Sequence, residues 1–463
     1  MSLVVQVTST IAIWRPHTEY HNFCSVIIHL FASNSPSLMR FGVPGLKEKA
    51  APIFVLLGTL FLVSCANYSN PSSNNRNTTG LKLRAFVTNP LRPTGFGSTP
   101  VIEVIDALND KLSGPISLST AQPGTMAVFP NKRFTLVYGG GSGSNNSIAI
   151  INNAQEAVVG SALSLPGPSE SMVVSPDNVT GYVAVPSASV NGRSQGVVQV
   201  LNLNTNTITA TLPVPGARFV AVSHNGNRVL VFGNPIGTFS GLALITPSLI
   251  GTSQNPVFEF PVDPAEYDHP VGGVFSSDDS TAYILNCGAE CTGTAASVTA
   301  LNMNTNAPGL PLAVEAATIG MLSGTTLFVA GTPPGTSCPS GTAGQTCGTL
   351  SVIDTASMTV SNQSPIFITD GYHNRMEMGA NGQLFIGART CSTGCLSIFD
   401  TNQSKVNFSS DTGDVTGIQP ITTRNVVYVC ENDELRIYDT TTDKLQANQI
   451  DIIGQAVDVK LVD

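Results

Sequence analysis

The sequence is poor in charge, in tryptophan and in histidine. Charged residues make up 11% of the 463 residues, against ~25% in an ordinary globular protein, and the net charge is -9 with a pI near 5.1. A nucleic-acid partner is therefore not expected, because phosphate binding needs clustered lysine and arginine. With 43 glycines and 30 prolines, the composition instead favours a compact, turn-rich, all-β protein.

A short strand motif recurs about eight times between residue 100 and the C-terminus, at intervals of roughly 40–55 residues. Its clearest copies are LSVIDTASM (350–358), LSIFDTNQS (396–404) and LRIYDTTTD (435–443). Weaker copies occupy 101–109, 147–155, 197–205, 242–250 and 297–305. This period, built only of short strands, is typical of a β-propeller. We predict eight four-stranded blades over 81–463, or seven if the copy at 242–250 is an insertion.

The two ends of the repeat region complete one another. The first unit starts in mid-blade with LKLRAFVTN (81–89), and the chain ends with QAVDVKLVD (455–463), which supplies the missing opening strand. Pairing these segments would close the ring and remove both sheet edges. The Asp-Thr pairs that end the clearest copies, at 354, 400 and 439, are interpreted as turn caps rather than catalytic acids.

The first 80 residues carry export signals rather than a fold. Residues 39–64 combine a basic start with a short apolar stretch, APIFVLLGTLFLV (51–63), as in a signal peptide. The LVSC text at 62–65 resembles the bacterial lipobox, which implies acylation of Cys65 and a membrane partner held through lipid. Ala66 then favours outer-membrane sorting, facing the periplasm or the cell surface. Residues 65–80 are predicted to be a flexible tether.

Residues 1–38 show no repeat and precede the signal peptide. They contain the only tryptophan, Trp14, and half of the six histidines. We interpret Met39 as the true start and 1–38 as an over-extended N-terminus, with a genuine extension as the alternative.

The repeats resemble a known family. AFVTN (85–89), SPDN (175–178), HNGN (224–227) and the Ile-Asp-Thr copies are similar to repeats of YVTN-type β-propellers, which are common in exported bacterial and archaeal proteins. The resemblance covers roughly residues 81–463. It implies the propeller fold, export and a binding surface, and it implies no particular ligand.

Paired cysteines occupy the same place in three consecutive blades, between the second and third strands. In an exported protein such pairs indicate local disulfides, and a metal site is the alternative. Cys430 is left over as a buried residue or a free thiol. The expected bridges are Cys287–Cys291, Cys338–Cys347 and Cys391–Cys395.

The connections that enter each innermost strand carry the most varied chemistry. In propellers they reach the mouth of the central channel, so we predict a ligand site there, with a solvated funnel as the alternative. The cysteine loops are considered for the opposite face. The candidate residues are Glu170, Arg218, Tyr267, His269, Tyr372, His373 and Arg375.

Several propeller enzymes lack their required residues here. Quinoprotein and sialidase types need tryptophans beyond Trp14, and copper or haem types need more histidines or a C-x-x-C-H motif. We therefore expect a binding or scaffolding module for a protein, peptide, glycan or polar ligand, monomeric, with no catalytic residue, cofactor or metal. The alternative is a lactonase-type hydrolase with a cation at the channel mouth.

Overall fold

The computed structural model describes residues 78–463, except 96, 119–122, 140–145, 264, 336–346, 362–364, 393 and 409–412. The predictions for the start at 1–38, the signal peptide at 39–64, the acylated Cys65 and the tether up to residue 77 lie outside these residues. Within the described part of the chain, no helix has both the length and the apolar character needed to cross a membrane.

The described strands form eight antiparallel sheets, numbered here as blades 1 to 8 around the ring. Each is given from its innermost strand outwards. Blade 1 contains β35 (Val459–Leu461), β1 (Arg84–Thr94), β2 (Gly97–Asp106) and β3 (Lys111–Ser117). Blade 2 contains β4 (Thr125–Val128), β5 (Phe134–Tyr138), β6 (Ser147–Asn152), β7 (Ala157–Val158) and β8 (Leu163–Ser164). Blade 3 contains β9 (Ser171–Val174), β10 (Thr180–Val185), β11 (Val197–Asn202) and β12 (Thr207–Pro213). Blade 4 contains β13 (Phe219–Val222), β14 (Val229–Phe232), β15 (Phe239–Ile245) and β16 (Val257–Pro261).

The second half of the ring repeats this plan. Blade 5 contains β17 (Pro270–Phe275), β18 (Thr281–Asn286), β19 (Ser297–Asn302), β20 (Ala307–Pro308) and β21 (Leu312–Ala313). Blade 6 contains β22 (Ile319–Ser323), β23 (Thr326–Gly331), β24 (Gly348–Asp354), β25 (Thr359–Val360) and β26 (Ile366–Ile368). Blade 7 contains β27 (Tyr372–Met378), β28 (Gln383–Arg389), β29 (Leu396–Asp400) and β30 (Lys405–Phe408). Blade 8 contains β31 (Val415–Ile421), β32 (Val426–Glu431), β33 (Glu434–Asp439) and β34 (Lys444–Leu445). Two short 3-10 helices, Pro247–Leu249 and Gly288–Cys291, lie in described connections.

The prediction of an eight-bladed all-β propeller is confirmed. All eight copies of the sequence motif fall on the third strand of a blade, including the weak copy at 242–250, whose first residues belong to β15. In blades 2, 5 and 6 the outermost strand is split into two short pieces that both pair with the third strand.

The ring is closed as the ends of the sequence predicted. β35 pairs with β1 in the register Ala85↔Leu461 and Val87↔Val459. Each innermost strand contacts the innermost strand of the next blade, and β35 contacts both β31 and β4. The innermost strands therefore surround a central channel.

The faces of the blades are buried against their neighbours. Tyr182 of blade 3 packs in one cluster with Val231 of blade 4, and Phe86 of blade 1 packs with Val137 of blade 2. Burying a large apolar side chain contributes about 1.5–3 kcal/mol. Because these clusters join adjacent blades, each blade is stabilised mainly by the next one.

The Asp-Thr pairs cap turns, as predicted. Asp354 Oδ1 accepts from the backbone N of Ala356 at 3.0 Å, and Asp439 Oδ1 accepts from the backbone N of Thr441 at 2.7 Å. Asp400 Oδ1 likewise accepts from the backbone N of Asn402 at 2.8 Å. These carboxylates bind the backbone of their own turns.

Candidate functional site at the channel mouth

The connections that enter the innermost strands and the loops between the second and third strands share one face of the ring. The chain enters an innermost strand, reverses into the second, and so returns to the face from which it came. In blade 5, the entering residue Asp268 accepts through Oδ2 from the backbone N of Thr294 at 2.6 Å and of Ala295 at 2.8 Å. In blade 7, Asp370 accepts from the backbone N of Ser392 at 3.0 Å. The cysteine loops therefore lie beside the entering connections, on what we call the upper face, and the opposite-face placement is wrong.

Local disulfides close two of these loops. Cys287–Cys291 and Cys391–Cys395 are both bonded, as predicted. The bridge expected between 338 and 347 cannot be described, because residue 338 lies outside the described residues. Cys430 is a buried free thiol, and its burial raises its pKa well above the usual range.

Three of the predicted residues lie at the entries to the innermost strands of blades 3, 4 and 7. Glu170 of blade 3 and Arg218 of blade 4 form an exposed ion pair, with Oε2 and Nε 3.7 Å apart. Tyr372 of blade 7 is 55% exposed. Partial burial raises the pKa of Tyr372. From the far side of the ring, the charge of Arg218 lowers this pKa and the charge of Glu170 raises it. The Glu170–Arg218 pair therefore acts electrostatically on Tyr372 across the channel.

His269 is held by its neighbour rather than left free. Its Nδ1 lies 2.8 Å from Asp268 Oδ1, and its backbone adopts a positive φ of 59°. Gly293 packs over this pair so closely that an added Cβ would stand 2.0 Å from Asp268 Oδ1. The Asp268 carboxylate therefore fixes the imidazole at the rim and also holds the disulfide loop.

Two predicted residues lie in the interior. Tyr267 is 4% exposed and packs edge-on against Phe260, with ring centroids 5.6 Å apart. His373 is fully buried, and neither ring nitrogen has a hydrogen-bond partner within the described ranges of the chain. Burial lowers the pKa of His373 to about 4, although the Thr369 backbone and the Asp370 carboxylate oppose the shift. Neither side chain reaches the funnel surface.

Arg375 lies deeper in the channel and is half-buried. Its Nε donates to the Thr416 carbonyl of blade 8 at 2.7 Å, and its Nη1 donates to the Asn374 carbonyl at 2.9 Å. These bonds orient the guanidinium along the inner wall.

Two further charged residues of the mouth were missed from the sequence. Glu290 lies within the first disulfide loop and accepts from the backbone N of Thr332 at 2.9 Å, and burial raises its pKa to about 7. Arg389 ends β28, directly before the second disulfide loop. Glu290 and Arg389 both act electrostatically on Tyr372. In the sequence, both residues lie beside paired cysteines. This position could have indicated that they belong to the mouth, since the cysteine loops share the upper face.

A separate open groove of about 900 Å³ lies away from the mouth, between the outer parts of blades 3 and 4. None of the predicted site residues lines it. Its lining includes Gly192, Arg193, Ser194, Pro213, Pro215, Asn255, Val257, Phe258 and Glu259. Among the described residues, no group of three or more His, Cys, Asp or Glu side chains is placed to hold a metal ion.

Comparisons with known proteins bear on the fold. No family model and no curated protein sequence matches the chain. A functionally unknown protein from Desulfotomaculum acetoxidans is similar in structure, with a TM-score of 0.50 and 13% identity over 82% of this chain and 98% of that one. Apo AztD from Citrobacter koseri has a TM-score of 0.48 and 13% identity, over 82% of this chain and 97% of that one. The Swd1 β-propeller domain from Myceliophteria thermophila has a TM-score of 0.45 and 9% identity, over 70% of this chain and 98% of that one. At such identities, only the first likeness carries an argument, and it concerns the fold alone.

Proposed function

We propose that this chain is a lipid-anchored β-propeller of the cell envelope that binds a protein, peptide or other polar ligand at its upper face. The observation that carries the proposal is the arrangement of Glu170, Arg218 and Tyr372. Blades 3, 4 and 7 supply them from opposite sides of the channel, and they remain exposed. Exposed acidic, basic and phenolic groups around one concave mouth suit recognition of a polar surface.

The rigidity of the rim supports the same proposal. The Asp268 and Asp370 carboxylates tie the entering connections to the disulfide loops of their own blades. Connections held in this way present their side chains with little further loss of conformational entropy, which favours binding. Tyr267 and His373 act in this proposal as buried supports of the rim.

The anchor and the family belong to the proposal as well. The LVSC text at 62–65 motivates acylation of Cys65, retention by lipid and outer-membrane sorting. The AFVTN and SPDN repeats motivate kinship with the YVTN-type propellers. The hydrolase alternative gains no supporting observation from the described residues.

Site-directed photo-cross-linking in the native host tests the binding face. A photoreactive residue at Tyr372 probes the mouth, and one at Asn204, exposed in an outer turn of blade 3, is the matched control. We expect a discrete cross-linked product from position 372 that disappears when Arg218 is changed to Ala. Equal products from both positions, or products only from 204, would overturn the proposal.

A further inference from the structure

Two arginines of blade 7 lie on one side of its sheet. The register pairs Tyr372 with Arg389 and, after an irregularity at Asn374, pairs Arg375 with Gly387. Positions 387 and 389 are two apart on β28, so their side chains point to the same side. Arg375 and Arg389 are therefore neighbours, and after burial the positive charge of Arg375 is the largest influence that lowers the pKa of Arg389.

Neither guanidinium is neutralised by a described carboxylate. Among the described residues, no carboxylate oxygen lies within 4.0 Å of either group. Within the described part of the chain, the hydrogen bonds of the Arg375 side chain go to two backbone carbonyls. The Nε of Arg389 is buried and has no hydrogen-bond partner among the residues that the structure describes. A buried donor without a partner destabilises the fold, and more so when it is charged.

The nearby carboxylates are already engaged. Asp414 and Asp458 act electrostatically on Arg389, but Asp414 Oδ1 accepts from the backbone N of Thr390 at 2.7 Å. The two oxygens of Asp458 accept from the backbone N of Met126 at 2.8 Å and of Val459 at 2.9 Å. Both carboxylates thus make backbone hydrogen bonds, and neither forms an ion pair with Arg389 among the described residues.

Glu377 lies two residues after Arg375 on β27, on the same side of the strand. Burial raises the pKa of Glu377, and Arg375 only partly opposes that shift. Lys460 also acts on Glu377 and lies 3.9 Å from Asp458 Oδ1. The inner wall of blades 7 and 8 thus holds an arginine pair that forms no ion pair with the described acids around it.

We propose that Arg375 and Arg389 bind an oxyanion, a carboxylate or phosphate group of the ligand, just below Tyr372. The inference rests on the proposed function, because it names the group that the mouth receives. Guanidinium groups match such oxygens by paired, charge-assisted hydrogen bonds. An anion between the two groups would supply the missing partner of Arg389 Nε and relieve the repulsion between the arginines.

Thermal unfolding of the full chain with small oxyanions tests the site. The probes are succinate and inorganic phosphate at pH 7.5, with sodium chloride holding the ionic strength constant. Binding to the folded state alone raises the Tm, and we expect a rise of about 2–4 °C with at least one probe at saturation. A response to one probe only assigns the group as carboxylate or phosphate.

Arg389→Gln is the test variant, and Arg193→Gln, exposed in the outer groove, is the matched control. Without a probe, R389Q should unfold at the wild-type Tm or above it, because the change removes an uncompensated charge. With a probe, R389Q should lose the rise that R193Q keeps. No response of the wild-type protein, or an undiminished response of R389Q, overturns the inference. If cross-linking at Tyr372 persists in that case, the proposed binding face stands without the oxyanion.

Discussion

Arg84 and Asp463 join the two ends of the propeller across 379 positions of sequence. The Arg84 Nε donates to Asp463 Oδ2 at 2.8 Å, its backbone N donates to the same oxygen at 2.8 Å, and its Nη2 pairs with Oδ1. Its Nη1 lies 3.0 Å from Glu156 Oε1 of blade 2. One guanidinium thus fastens the ring closure and links it to the following blade.

Replacing Arg84 by Met should weaken this closure. The Glu156 side chain is buried and the Asp463 side chain is partly exposed. Because hydrogen bonds to charged groups contribute about 1.5–3 kcal/mol each, we expect a loss of about 2–4 kcal/mol in the free energy of unfolding. Urea unfolding followed by circular dichroism measures it. The exposed Arg193→Met should cost under ~0.5 kcal/mol. Equal midpoints for the two variants would show that the closure does not depend on Arg84.

His373 should make the protein less stable in mild acid. Its pKa is about 4 in the folded protein and about 6.5 when unfolded, so the unfolded chain binds the extra proton between these values. The stabilisation is present above pH 6.5 and is lost as the pH falls toward 4, by about 3 kcal/mol. Urea midpoints from pH 7.5 to 4.5 should fall less steeply for His373→Gln than for the wild type. Parallel curves would contradict the buried neutral imidazole.

Glu290 should make the protein less stable as the pH rises, which is the opposite of the effect of His373. Its pKa is about 7 in the folded protein and about 4.3 when unfolded, so its contribution is complete below pH 4.3 and is lost as the pH rises through 7. Glu290→Gln should therefore raise the stability at pH 8, by about 1–3 kcal/mol, and leave it almost unchanged at pH 4. Glu315→Gln, on an exposed residue, is the control. A variant that gains nothing at pH 8 would show that Glu290 is ionised without cost.

The sequence text predicts processing at Cys65. The wild-type protein should be cleaved before this residue, acylated and recovered with membranes. Cys65→Ala should leave the precursor uncleaved or release the protein, as fractionation and intact mass would show. Unchanged mass and fractionation in the variant would refute the anchor.

The fold was predictable because its signals repeat. An Asp or Asn, as at Asp354 and Asn202, marks the end of the third strand in seven of the eight blades. The half-blades at the two termini indicate the closure. The placement of site side chains was not predictable in the same way. Sequence shows that His373 and Arg375 lie near a mouth, but the irregularity at Asn374 decides which of them faces the channel. Arg389 was missed because the cysteine loops were considered for the opposite face, whereas the antiparallel pairing of β27 with β28 returns the chain to the upper face.

The central claim is that the upper-face mouth binds the partner of this protein. The most direct measurement is the affinity of the partner identified by cross-linking for the full chain and for Arg218→Ala combined with Tyr372→Ala. Both side chains are exposed, so the double variant should keep its Tm within about 1 °C. We predict that its Kd rises at least about tenfold, the equivalent of 1.4 kcal/mol, while Asn204→Ala on the opposite face leaves Kd unchanged. An unchanged Kd in the double variant, or a loss of affinity in N204A alone, would contradict the account.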